Sequence, residues 1–523
     1  MYKKLFLILI LLGAAVLSAC GTAVPEVTTS ALPQESTAPP VLSAPDQSVN
    51  SLFALPYSYN ENGVFNPILR HNNACKPLFS LIYDGLFAVG TDGVPEPRLA
   101  QSITYSEGCA TIRLREDAFF HDGTSVRAAD VVWSLKMARE NENSVYAARL
   151  SNVTEITSSD NLTVVLSLER SHGSLEYCLD IPIIKNGTGV TSNAMGTGRY
   201  RVIAQEESMY LMANEEWYAL PEDSDFPTDL IILTYVDNLD DLVYSMVSGN
   251  SNLVALDPFI FDDRKISGNC DVYPVETRDF LYIAFNTSYY AHTSRSDVRK
   301  ALAEAINVSE ILATAYNGVV YSQGIYPESV TGVAPGEPPA GDPVEAGRQL
   351  RAAGYKFIGG MWQSDDGETM ELTIVCGHES AKRAAAEIIA ENLAAVGIKT
   401  EIVFTDDMSA TLYSGRFDIA VCETSLSPDY DFRYLLSYDG AENYNDFAIT
   451  GLDEQLSNFF SAGHANSSIL ARNISETVLE SMPIVPIGYK QELVCVSREF
   501  SFGNVQVTAG DYFANIFQWV RYR

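Results

Sequence analysis

Basic residues are scarce in this 523-residue chain: 34 lysines and arginines stand against 67 aspartates and glutamates, for a formal net charge of -33. A surface this acidic repels phosphate backbones and anionic headgroups, which excludes nucleic acid as a partner. Histidines number only six. No His-Glu-x-x-His run accompanies them, since "GHESAKR" has Lys382 where the second histidine would stand. A G-x-S-x-G elbow and a P-loop are also missing, so nothing in the chain points to an enzyme or calls for a cofactor. The eight cysteines are widely and irregularly spaced. With no C-x-x-C pair and no metal-type cluster, a disulfide framework and a cysteine metal site are both excluded.

Apolar runs long enough to cross a bilayer are absent as well. The opening "MYKKLFLILILLGAAVLSAC" has Lys3 and Lys4, an apolar run from Leu5 to Val16 and then small residues, the layout of an export signal over residues 1–20. The run falls short of the ~20 residues a span requires. Its end, "LSAC", resembles the lipobox of bacterial lipoproteins. By that resemblance, cleavage leaves Cys20 as the first residue, carrying lipid, and the chain is held on the cell membrane facing outward. Loss of a leader with two lysines and no acid makes the remainder more acidic still. Residues 21–50 are rich in Pro, Ser, Thr and Ala and contain no aromatic residue, which predicts a disordered tether.

What remains is too long for one hydrophobic core, so two or three packed units are expected. Residues 372–423 read as a βαβαβ unit. "LTIVCG" is a buried strand. Apolar residues at 385, 388, 389, 393 and 396 then mark a helix face closed by Gly397. "IKTEIVFTD" is the next strand, 407–414 a short helix, and 417–423 a third strand, which implies a parallel sheet with right-handed crossovers. Asp342, Pro343 and Gly354 punctuate a helix over 343–353. The runs 229–237 and 279–287 have the length and continuity of strands buried on both faces. The fold class is α/β. Seven cysteines remain beyond Cys20: Cys75, Cys109, Cys178, Cys270, Cys376, Cys422 and Cys495. Most lie in strand-like runs, where buried free thiols are expected, and one disulfide stays open.

"FFHDGTSVRAADVVWSLK" (119–136) sets His121 beside Asp122 ahead of a helical period, with Asp130 in the first helical turn. A lone His-Asp pair without a neighbouring ligand reads as architecture. The longer run "PEPRLAQSITYSEGCATIRLREDAFFHDGTSVRAADVVWSLKMAR" is similar to the signature of the extracellular solute-binding proteins of family 5. "GTGRYRV", "NEEWYALPED", "FLYIAFNT" with the helix after it, "EAGRQLRAAGY" and "SMPIVPIGY" extend the similarity in the same order over nearly the whole chain.

The resemblance implies a periplasmic-binding-protein-like fold of two lobes (type II), with an extra subdomain in the first lobe and a ligand cleft between the lobes. On it, lobe I is expected to take 51–75, 194–280 and 490–523, its subdomain 76–193, and lobe II 281–489. It also implies a monomeric receptor for di- or oligopeptides that delivers them to an ABC permease and its ATPase. Asp429 and Tyr430 align with the pair whose carboxylate meets a peptide's amino terminus, while Leu426 replaces the Trp usual before it. Asp429 also follows the carboxyl end of a predicted strand, where open α/β sheets bind ligands. Thr424, Ser425 and Leu426 are expected to offer backbone groups in the manner of strand addition. His71, Asn72 and Asn73 align with a first-lobe segment facing the cleft, and Tyr57 and Tyr59 end the first predicted strand. An alternative ligand is nickel or a metal chelate, with His71 and His121 as histidine candidates, although no metal site is assigned.

Overall fold

Alternation of strand and helix over 371–425 is the backbone of the second half of the molecule in the computed structural model. It describes residues 53–518 apart from 59–64, 70–72, 91–92, 191, 206–207, 223, 259–269, 289–290, 445–446, 463–466, 499–505 and 509. The leader, Cys20, the tether, Tyr59, His71 and Asn72 lie outside the described residues, as does the side chain of Asn73.

Strand Glu371–Cys376 lies between Lys399–Phe404 and Ile419–Ser425 and is parallel to both. Helix Ser380–Val396 makes the first crossover and buries Ala385, Ile388, Ile389, Leu393 and Val396, the face its period marks. Gly397 ends it at φ 90°, a left-handed position that glycine occupies without Cβ strain. Helix Met408–Tyr413 makes the second crossover. Upstream, helix Pro343–Ala352 starts on Asp342, whose carboxylate accepts from Val344 N and Glu345 N at 2.9 Å each.

These parallel strands belong to a seven-stranded sheet that also contains two long antiparallel strands, Cys270–Phe285 and Ile484–Ser497. The long strands thread two separate sets of cores. Val275 and Val494 are buried with side chains from residues 53–275 and 494–516. Leu281 and Ile487 belong to a second core drawn from 281–487, beside a third drawn from 280–489. Between them the pairing register breaks, from Glu276 to Phe280. Residues 276–279 therefore form the passage from one set of cores to the other, and the irregularity frees their side chains from the regular alternation of a sheet.

The first half has its own sheets. One orders Phe53–Tyr57, Leu230–Tyr235, Ser208–Ala213 and Tyr200–Gln205; the other is an antiparallel four-strand sheet from Ala100 to Leu168. Strand Leu230–Tyr235 corrects an expectation. It buries Ile231 and Leu233 and leaves alternate residues half-exposed, because its sheet packs on one face only.

His121 and the glycine motif meet. His121 N donates to Gly196 O at 3.0 Å, and its Nε2 lies 3.1 Å from Gly198 O. Burial pushes the His121 imidazole below its usual value, which keeps it neutral for this contact. A Cβ on Gly196 would sit 2.1 Å from Ile82 O, so the chain approach that the motif makes admits only glycine. Asp122 is held by Lys185 and Thr124, and Asp130 accepts from Arg127 N and Asn186 N at 2.9 Å each. The whole stretch is a fastening between segments. No disulfide links any two of the described cysteines, and all but Cys109 are buried.

Candidate functional site

Strand Ile419–Ser425 pairs along one edge with Cys270–Phe285, from Phe285 opposite Ile419 to Asp279 opposite Ser425. On its other edge, strand Glu371–Cys376 accompanies only Ile419 and Ala420. Among the described residues, Val421 to Ser425 therefore present an edge with no strand beside it. The side chains there are already engaged. Thr424 Oγ1 lies 2.9 Å from Tyr434 Oη and 3.4 Å from a Glu442 carboxylate oxygen, and Ser425 Oγ donates to Asp279. Leu426 extends the ladder by donating its backbone N–H to Arg278 O at 3.0 Å. Its side chain is buried in the third core with Phe280 and Phe432, so the residue that replaces Trp serves packing.

Beyond Leu426 the chain turns sharply. Tyr430 N donates to Ser427 O at 2.9 Å, and Tyr430 takes φ 54°, a left-handed position costly for a bulky residue. The turn presents the Asp429 carboxylate to the first half of the molecule. There it accepts from Ser427 Oγ and from His172 Nε2, the latter at 2.8 Å, with Cys178 as a further donor. His172 and Asp429 side chains are only 2% and 5% exposed, so this is a buried pair.

The tautomer follows from the other ring nitrogen. Ser174 N donates to His172 Nδ1 at 3.2 Å, which makes Nδ1 the acceptor and leaves the proton on Nε2, aimed at Asp429. Burial alone would raise the Asp429 carboxyl. The His172 hydrogen bond, with Ser427 and Cys178, outweighs burial and holds it below the usual carboxylate range. The segment around His172 is tied to the second half twice more. Gly173 N donates to Phe460 O at 2.7 Å, and Arg170 meets Asp439 at 2.9 Å.

Two cavities open on either side of residues 276–279. One, of about 460 Å³, is walled by Ser174 and Tyr177 from the first half and by Asp429, Tyr430 and Phe460 from the second. The other, of about 560 Å³, is walled by Arg149 and Asp511 and by Ser425 to Ser427. Arg278 lines both. The larger cavity has four other cations, each with a carboxylate: Lys76 with Glu492, Arg98 with Glu96, Arg149 with Asp180 and Arg199 with Asp511. A third cavity, of about 360 Å³, lies along the open edge of Ile419–Ser425 and is walled only by the second half, including His378, Lys382 and Glu423.

Of the residues singled out in the sequence, Asp429, Tyr430, Ser425 and Leu426 come together on these cavity walls, while Thr424 points its hydroxyl into the second half. Tyr57 instead packs edge-on against Tyr235 at 5.6 Å, in the first sheet. His121 is spent on the glycine segment, and the histidine that reaches the cleft loop is His172, which carries no motif. Arg278 and Glu276 carry no motif either, because in the sequence they look like the polar lead-in to an apolar strand. The one available signal was a pair of opposite charges two residues apart just before a buried run.

Two cores joined by crossing strands, with cavities walled by both sides, define a two-lobed solute-binding fold. The chain belongs to the bacterial extracellular solute-binding proteins, family 5, whose model matches residues 94–446, well over half of its length. Glutathione-binding protein GsiB of Pectobacterium atrosepticum is 24% identical over 372 residues, 65% of this chain and 67% of that protein. Among solved structures, the oligopeptide-binding protein AppA from Bacillus subtilis in complex with a nonapeptide matches with a TM-score of 0.62 at 16% identity, covering 90% of this chain and 100% of that one. NikZ from Campylobacter jejuni in complex with Ni(L-His) matches with a TM-score of 0.64 at 18% identity, covering 90% and 99%. At these identities the two structures share the fold. Among the described residues, no helix is long and apolar enough to cross a membrane.

Proposed function

We propose that this chain is the substrate-binding lipoprotein of an ABC importer, lipidated on Cys20, which captures peptides between two closing lobes and hands them to a permease. The lobes are taken as 51–75, 194–280 and 490–523 for the first, with its subdomain at 76–193, and 281–489 for the second. The observation that carries the reading is the Asp429 carboxylate, held ionised on the wall of a cavity shared by both lobes. Such a group suits the amino terminus of a peptide, which would take the place His172 now fills. Ser425, where the open edge of Val421–Ser425 reaches the larger shared cavity, suits contact with an extended backbone. Hinge closure about residues 276–279 agrees with the register break there.

A carboxylate–ammonium contact of this kind contributes about 1.5 to 3 kcal/mol. Asp429→Asn is therefore expected to weaken peptide binding by about tenfold or more in titration calorimetry, and unchanged affinity would remove Asp429 from the site.

A second reading is a receptor for a compact solute. It is supported by relatives named for glutathione, itself a tripeptide, and by the shared fold of a receptor holding Ni(L-His). Native mass spectrometry of the full-length protein, purified without denaturation, separates the readings. A spread of adducts at peptide masses supports the peptide receptor and gives ligand length. A bare protein that gains one defined adduct only with metal or a single small molecule supports the second.

A further inference from the structure

Arg278 differs from every other cation on the cleft walls. It sits on the passage between the lobes, lines both interlobe cavities, and among the described residues has no ion-pair partner, whereas the four cations beside it each have one. Burial and the nearby Arg149 hold its guanidinium below the usual arginine value, with Asp180 acting the other way. Even so, an arginine side chain stays charged in a protein. Arg278 is half-buried, and a charge partly withdrawn from water without a partner still costs stability, so such groups are retained where something else neutralises them.

The irregular register explains how Arg278 comes to be free. Regular alternation would have committed residues 276–279 to the two faces of a sheet, but on the side of strand Ile484–Ser497 the pairing lapses between Glu276 and Phe280. The nearest acid in sequence, Asp279, is taken by Ser425. Glu276 shares the smaller cavity with Arg278 yet makes no ion pair with it; its carboxylate accepts from Ser329 Oγ at 3.5 Å, and burial raises its carboxyl. The cavity thus shows a guanidinium whose planar fork of donors is unclaimed, a geometry matched by a carboxylate.

We propose that Arg278 receives a carboxylate of the bound ligand, so that this cleft selects solutes with a free carboxylate, a peptide's carboxyl terminus above all. This rests on the cleft being the ligand site. With Asp429 on the wall of the same cavity, the binding surface offers one anion and one cation to a zwitterion.

The test measures binding to the full-length protein by titration calorimetry with trialanine, trialanine carboxamide, glutathione, citrate, and nickel with L-histidine. Wild type, Arg278→Gln and Arg278→Lys are compared, and their melts report the fold. The expected result is that a free acid binds wild type, that R278Q weakens it tenfold or more and R278K less, and that the carboxamide is bound tenfold more weakly and is insensitive to R278Q. Equal binding of trialanine and its carboxamide, unmoved by R278Q, overturns the carboxylate subsite and leaves the peptide reading intact. Arg278-dependent binding of citrate or nickel-histidine with none of trialanine supports the subsite and removes the peptide reading. Binding of none of the acids overturns the subsite. Should R278Q fail to fold, R278K and the acid–amide comparison on wild type decide the question.

Discussion

Asp429 and Arg278 are charged groups on the wall of one cavity, and they are treated in opposite ways. The Asp429 turn is closed on itself: the carboxylate takes hydrogen bonds from Ser427 and His172 and stands only 5% exposed. The Arg278 stretch is left open, with a lapse in strand pairing and a guanidinium that no described carboxylate pairs. A satisfied buried charge contributes rigidity, whereas an unsatisfied one costs stability and keeps a place for something else. The difference teaches that the Asp429 side is preorganised by the protein, and that the Arg278 side is completed from outside.

The largest expected effect tests the closed side. Asp429→Ala strips the acceptor from His172, Ser427 and Cys178 at once, leaving buried donors unsatisfied, and should lower unfolding stability by about 3 kcal/mol in urea titration. A loss below about 1 kcal/mol would mean that the turn is held by packing alone.

Acid provides a milder break of the same pairing. The Asp429 carboxyl is lowered in the folded protein, so its contribution is fully present above the ordinary carboxylate value of about 3.9 and is lost as pH falls below it. The stability gap between wild type and Asp429→Asn should accordingly be constant near neutrality and close below about pH 4. A gap that persists in acid would show that the hydrogen bonds and not the charge carry the pairing.

How much of this contrast was legible in the sequence depends on how local its causes are. The βαβαβ unit, the Asp342 cap and the Gly397 stop are written in spacings of a few residues, and the structure has each of them. Asp429 was legible through the strand it follows and the resemblance it shares. His172 was not, because its role depends on a contact 257 residues away in sequence, and a Ser-His-Gly loop has no periodicity to read. The same holds for Arg278. That it lacks a partner is a statement about every acid around it, and only a folded chain makes that statement. The two-faced burial expected of 229–237 failed for a related reason, since sheet coverage is set by elements far away in sequence.

The smallest effect carries the sharpest comparison, because its sign is opposite. Replacing Arg278 by Met keeps much of the side chain's length and removes the unpaired charge. If nothing in the free protein neutralises that half-buried charge, Arg278→Met should raise stability, by less than about 1 kcal/mol because water still reaches the group, in urea titration. The same change should abolish the preference for free acids over amides. A residue that lowers the stability of the empty protein and is required by its ligand is placed for binding, because stability alone would have favoured its loss. A fall in stability on Arg278→Met would instead assign the guanidinium an internal partner and make Arg278 resemble Asp429, which would dissolve the contrast between the two sides of the cleft.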